Sequence, residues 1–277
     1  RNNHIYMTWT QFDEYGSEDT TKRSNILFSK SEDFGKTWTS PIDISNLDGD
    51  CLDDDLTTEG AVPTVGPNGE IYVCWAFNSK LYFNYSLDDG LSWLEEEVEI
   101  GDQKEGWALD IPGIYRCNGM PVTVCDISNS PYKGTIYVNW ADQRNGKGNT
   151  DIWLKKSIDG GKTWSLDIKV NSDNSDRHQF LSWMTVDPSN GYLYVVYYDR
   201  RETEGNLTDV YLSVSKDGGS SFKDYKINTI SFLPNDEVFF GDYTNISAQN
   251  GVIRPIWTQL EDKTITLYTA IVNQLDL

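Results

Sequence analysis

The chain has 277 residues, 13% of them aromatic, and carries 43 acidic against 23 basic residues for a formal net charge of -20. That length and aromatic content support a sizeable core, whereas the charge opposes nucleic-acid phosphates and anionic membrane surfaces. No apolar run reaches the 18 residues of a membrane-spanning helix, so no membrane insertion is expected.

In chain order, the alternating and β-branched runs fall into five units. The first has runs at 5–9 and 25–29, then the segment Ser31-Glu-Asp33-Phe-Gly35-Lys-Thr37-Trp38. The second adds an upstream apolar run at 61–65 to runs at 71–75 and 81–85, then Ser86-Leu-Asp88-Asp-Gly90-Leu-Ser92-Trp93. The third has 136–140 and 151–155, then Ser157-Ile-Asp159-Gly-Gly161-Lys-Thr163-Trp164. The fourth has 184–186, 193–197 and 209–213, then Ser215-Lys-Asp217-Gly-Gly219-Ser-Ser221-Phe222. A fifth unit, 243–246, 252–257 and 264–272, repeats the strands without that segment. The repeated segments start at Ser31, Ser86, Ser157 and Ser215, so their spacings are 55, 71 and 58 residues, the length of one four-stranded unit.

The pattern Ser-x-Asp-x-Gly-x-Thr/Ser-aromatic resembles the Asp-box, or bacterial neuraminidase repeat, of sialidase-like β-propellers. In such a turn Asp accepts local backbone N–H groups, Gly supplies a positive φ, and the aromatic is buried between neighbouring sheets. The expected fold is therefore all-β: one propeller domain, 1–277, of four-stranded antiparallel blades with five repeats visible. The first unit lacks the upstream run found in other units, which predicts residues before Arg1; the resemblance implies six blades when complete. It also implies a secreted or cell-surface location and a glycan, other carbohydrate or surface protein as partner.

The four cysteines, Cys51, Cys74, Cys117 and Cys125, show no Cys-x-x-Cys spacing. They suit either disulfides or buried free thiols, with Cys117 and Cys125 able to close a short loop. His4 and His178 are the only histidines, too few for a His-based metal site or a Ser-His-Asp triad. No phosphate-loop or zinc pattern is present, and no cofactor is required by any motif. Five carboxylates in eight residues, including Asp48, Asp50, Asp53 and Asp55, fit either a solvated acidic loop or a structural Ca2+ site.

In a propeller the loops joining strands 2 and 3, and those joining blades, gather at one mouth, opposite the repeated turns. Here they carry Asp13, Asp19, Arg144, Arg200, Arg201 and Asp262, and, in the blade-joining set, Arg116, Arg177 and Asp242. Arg144 and Arg200 recur at equivalent repeat positions and read as interblade salt bridges. Arg116, Arg177 and Arg201 break the repeat, and their planar guanidinium groups suit carboxylate recognition. The sialidase resemblance implies a Tyr nucleophile activated by a Glu, an Asp acid/base and three arginines. Tyr243, on a predicted inner strand, is similar in place and pattern to that tyrosine. Asp13 or Asp19 stands at the acid/base position, Glu59 at the mouth end of an inner strand, and two arginines would come from Arg116, Arg177, Arg200 or Arg201, beside Asp242. Such a protein is either a sialidase-type exo-glycosidase or a non-catalytic propeller presenting loops to a glycan or protein.

Overall fold

The computed structural model describes residues 3–261 and 263–277 and is a β-propeller of five antiparallel sheets in chain order. The first sheet has three strands, β1 (Ile5–Phe12), β2 (Ser24–Ser31) and β3 (Ile42–Asp43). The second runs β4 (Glu59–Val65), β5 (Ile71–Phe77), β6 (Lys80–Ser86) and β7 (Val98–Asp102). The third runs β8 (Val122–Cys125), β9 (Ile136–Asp142), β10 (Asp151–Ser157) and β11 (Ile168–Lys169). The fourth comprises β12 (Gln179–Val186), β13 (Leu193–Asp199), β14 (Asp209–Ser215) and β15 (Lys223–Lys226). In the fifth, β16 (Asn245–Gln249) pairs with β17 (Val252–Glu261), and β17 pairs along its length with both β18 (Thr264–Thr269) and β19 (Val272–Asn273). The single last run expected over 264–272 is thus broken at Ala270 and Ile271.

The first strands of successive sheets lie side by side, β4 beside β8 and β12 beside β16. In the first sheet β1 takes that place, with Thr8 Oγ1 donating to the Ala61 carbonyl at 2.8 Å and Thr10 Oγ1 to that of Thr58 at 3.0 Å. The middle strands are covered on both faces by neighbouring sheets, so β9, β13 and β14 are buried at every residue. This explains their near-continuous apolar runs. Trp75, Trp140, Tyr197 and Tyr198 are among the largest fully buried side chains.

Each repeated turn is a self-contained hydrogen-bond cage. In the first, the Asp33 carboxylate accepts the Thr37 N–H at 2.8 Å and the Thr37 hydroxyl at 2.7 Å, and the Gly35 N–H donates to Ser31 Oγ at 2.8 Å. Asp88 with Ser92, Asp159 with Thr163 and Asp217 with Ser221 repeat the pair of bonds. The turn also reaches the preceding sheet. Trp93 meets Phe28 edge-on at 5.1 Å and Trp164 meets Phe83 at 5.0 Å. Gly90 and Gly161 have positive φ and press on those same rings, where any Cβ would collide with Phe28 and Phe83. Among the described residues no sheet lies beneath the first turn, where Trp38 is 40% exposed. All four cysteines are buried free thiols, so neither the Cys117–Cys125 loop nor any other disulfide forms.

Candidate active site

Four loop segments distant in sequence bring their polar groups together at the mouth: Tyr15, Asp53 with Glu59, Arg116 with Asn118, and Asp242 with Tyr243. Glu59 opens β4, where the pairing with β5 slips between Glu59 and Val62. Gly60 at φ +81° makes that bulge, and a Cβ there would meet Trp107 at 2.9 Å and Pro121 at 3.0 Å. The bulge re-aims the side chain of the residue before it. Asp53 sits in a left-handed conformation, φ +62°, which Asp tolerates better than most residues.

Arg116 ties the segments. Its Nε and Nη2 form a two-pronged bond to Asp242, at 2.9 and 2.6 Å, and its Nη1 donates to Asp53 Oδ2 at 2.9 Å. The Tyr15 hydroxyl donates to the same Asp53 oxygen at 2.5 Å, and Asn118 Nδ2 donates to the Asp242 carbonyl at 3.2 Å. The loop bearing Arg116 is closed on itself by Leu109 N–H to the Cys117 carbonyl at 2.9 Å and Gly119 N–H to the Trp107 carbonyl at 3.0 Å. A cavity of about 40 Å³ lined by Asp53, Glu59, Trp107, Arg116, Asn118 and Tyr243 is large enough to admit a water molecule. On the far side of Tyr243, an apolar cleft of about 290 Å³ is lined by Trp183, Ile256, Trp257 and Leu267.

Electrostatics separate the carboxyl groups. Burial, then hydrogen bonding to Asp53 and the negative charges of Asp53 and Asp242, push the Glu59 carboxyl well above the usual range, with Arg116 opposing. Its Oε1 is shielded and has no hydrogen-bond partner. Glu59 is therefore a protonated acid at neutral pH. Burial, then the charges of Asp242 and Glu59, also raise the Tyr243 phenol. Tyr243 is 54% exposed and lies in the loop before β16, not on the inner strand expected for it. It lines the same small cavity as Glu59, but its surroundings disfavour the phenolate that a nucleophile needs.

The other candidates disperse. Asp13 accepts the Arg23 N–H at 2.9 Å and Asp19 caps its own loop through Thr21, so both are held by the β1–β2 loop and neither joins Glu59. Arg201 donates to Asp199 at 2.8 Å and Asp224 at 2.6 Å and lies over the Tyr211 ring at 4.4 Å. Arg144 has the same relation to Asp142 and to Trp153. The repeat-equivalent pair is thus Arg144 and Arg201, each two residues after a buried Asp; Arg200 is the one that departs. Arg200 is 1% exposed and donates to the Pro112 carbonyl at 2.8 Å and Thr208 Oγ1 at 3.1 Å. Arg177 donates to the carbonyls of Arg200 at 3.2 Å and Gly205 at 2.6 Å. Beside them burial, then the charges of Arg200 and Arg177, lower His178 to about 4, so it is neutral. The arginine triad therefore does not assemble: of the four candidates only Arg116 bonds Asp53 and Asp242.

The acidic loop also diverges. Asp48 takes Asn25 at 2.6 Å, Asp50 takes the Thr57 hydroxyl at 2.8 Å, Asp55 takes the Ser79 N–H at 2.7 Å, and Asp53 belongs to the Arg116 network. These four side chains turn to separate partners and do not form a common ligand set. Among the described residues, the one cluster with metal-ligand spacing is His4, Glu32 and Asp89, and the Lys30 ammonium already bridges Asp89 and Glu32 at 2.7 and 2.9 Å. Asp262 lies outside the described residues. A cleft of about 690 Å³ along Ile227–Leu233 and Trp257–Glu261 is lined by one carboxylate, Glu261, bonded by Tyr268. Tyr15 and the place of Asp53 in the Arg116 network carry no sequence motif, and only their position in mouth loops could have pointed to them.

No known protein-family model matches this chain, and no curated protein matches it in sequence. Solved structures do share its fold. A protein of unknown function from Dyadobacter fermentans is 17% identical, with a TM-score of 0.58 over 99% of this chain and 77% of that one. The Penicillium chrysogenum α-L-arabinanase, complexed with arabinobiose, is 16% identical, with a TM-score of 0.52 over 95% and 83%. The NanB sialidase of Streptococcus pneumoniae is 14% identical, with a TM-score of 0.52 over 90% of this chain but 35% of its own, so this chain spans about a third of that enzyme. At such identities the likeness shows a sialidase-like propeller fold.

Proposed function

We propose that this protein is an Asp-box propeller with glycoside hydrolase activity on a neutral glycan, Glu59 serving as general acid. The observation that carries the reading is a shielded, protonated Glu59 beside two carboxylates paired with Arg116 at the propeller mouth, a division of roles that suits glycosidic cleavage. In this scheme Glu59 gives its proton to the glycosidic oxygen as the bond to the anomeric carbon breaks. Water adds to that carbon and releases its proton to solvent, while Asp53, hydrogen-bonded to Glu59 and so on the same side of the bond, returns Glu59 to its protonated form. Arg116 fixes Asp53 and Asp242, which supply negative charge near the developing oxocarbenium ion. A sialic-acid substrate fits poorly, because its carboxylate would meet three acidic side chains and one arginine already shared between two of them. The known propellers of this fold include both a sialidase and an arabinanase, and the local charge favours the neutral alternative.

A panel of nitrophenyl glycosides, neutral furanosides and pyranosides alongside a sialoside, tests this with wild-type and Glu59→Gln protein. Turnover of a neutral glycoside that the substitution abolishes is the expected result. Sialoside turnover, or full activity in Glu59→Gln, overturns the assignment. Glycan binding with no turnover of any glycoside makes the chain a binding module.

A further inference from the structure

The mouth carries an aromatic feature that the proposed chemistry does not use. Tyr115 and Phe239, from two different blade-joining loops, are 60% and 49% exposed and meet edge-on with ring centroids 5.9 Å apart. Leaving two large rings in water on adjoining loops forgoes burial that either loop could have obtained by turning inward. The pair is continuous with the carboxylates. The Arg116 guanidinium lies 5.6 Å from the centre of the Phe239 ring while bonding Asp53 and Asp242. The Tyr15 ring, 64% exposed, also bonds Asp53 through its hydroxyl. Three exposed aromatic rings thus stand close to the carboxylates.

We propose that Tyr115 and Phe239 form a sugar-binding platform adjoining the reacting position, so that the natural ligand is a neutral oligosaccharide of at least two residues and not a single terminal sugar. This rests on the glycosidase reading for its position but on separate residues for its contacts. A sugar ring presents apolar C–H groups on one face and hydroxyls at its rim, and an exposed aromatic face complements the former while nearby carboxylates accept from the latter. The occupant is neutral because, among the described residues, the one guanidinium at the platform is already committed to two carboxylates, and the chain as a whole is strongly negative. Tyr115 is the cleaner probe, since Phe239 also contacts Arg116.

The test measures binding and turnover of neutral oligosaccharides of increasing length, from mono- to tetrasaccharide of the sugar that the glycoside panel selects, or of arabinan fragments if it selects none. For Tyr115→Ala the expected result is about tenfold weaker binding of the longer oligosaccharides, which corresponds to about 1.4 kcal/mol. KM for an aryl monosaccharide should stay unchanged, and Tyr115→Phe should restore wild-type affinity. Equal affinity of wild type and Tyr115→Ala for every length overturns the platform, as does tighter binding of acidic than of neutral oligosaccharides. Affinity electrophoresis and calorimetry read the platform even when no glycoside is hydrolysed, so its failure is distinguishable from failure of the catalytic assignment.

Discussion

The two faces of this propeller use carboxylates in opposite ways. At the turn face, Asp33, Asp88, Asp159 and Asp217 are each satisfied within their own turn, and all four are held below the ordinary carboxylate range. At the mouth, Glu59 lacks such local donors and is forced above that range by burial and by its neighbours. A carboxylate bonded to adjacent N–H and hydroxyl groups is a stable anion and chemically idle. One that is shielded beside other acids holds a proton that can be transferred.

The contrast is broken most severely at Glu59. Glu59→Gln should lower turnover about 10²- to 10⁴-fold, as expected for loss of a general acid, while leaving the fold intact; kinetics and circular dichroism together check this. The pH dependence has a defined sign. With its folded pKa raised, Glu59 contributes stability that is fully present below the pKa of the unfolded chain and lost as pH rises through the folded value. Wild-type Tm should therefore fall on the alkaline side, with a shallower fall in Glu59→Gln, and activity should disappear over the same alkaline range.

Within the repeat, Trp164→Ala should cost about 2–3 kcal/mol, because the indole is packed on Phe83. The equivalent Trp38→Ala should cost less than about 1 kcal/mol, since its ring faces solvent. Denaturant melts of the two variants compare a packed and an exposed copy of one sequence motif; equal losses would show that the stacking contributes nothing.

Arg116→Met leaves Asp242 buried without its partner and should destabilise by about 1–3 kcal/mol, less than the about 3–5 kcal/mol of a fully buried pair because the arginine is half exposed. Its activity should fall more than its stability explains, measured at a temperature where the variant is folded.

The smallest effect is expected for Asp159→Ala, a modest drop in Tm with unchanged turnover. Thr163, through its hydroxyl and then its N–H, lowers Asp159 to about 2. Its contribution is thus present above the unfolded pKa and lost as pH falls through about 2, so the difference between variant and wild type should close in acid. A persistent difference at pH 2 would place the effect elsewhere.

The fold was legible because its signals are local. Alternation along 71–77 or 193–199, and a turn whose bonds span four residues, declare themselves within a short window. The site was legible only in part. Arg116 and Asp242 are 126 residues apart, and nothing in either segment announces the other. Arg200 and Arg201 are adjacent in the chain, yet one is buried against carbonyl groups and the other pairs with Asp199 and Asp224, a distinction set by a one-residue offset in the turn. Asp53 looked like a member of an acidic loop because its partners, Tyr15 and Arg116, arrive from other sheets.

The glycines at the repeated turns have a consequence for how the molecule comes apart. Gly90 lies on Phe28 of the preceding sheet and Gly161 on Phe83, so each sheet is finished by a turn belonging to the next. Such an arrangement couples neighbours in a single direction along the chain, as in a row of dominoes, and stability becomes a sum of sheet terms and nearest-neighbour terms. A glycine-to-alanine change at Gly161 should therefore loosen the second and third sheets together while sparing the fourth and fifth. Hydrogen exchange resolved along the chain would register that as one shared opening event spanning two sheets, bounded by the next intact turn.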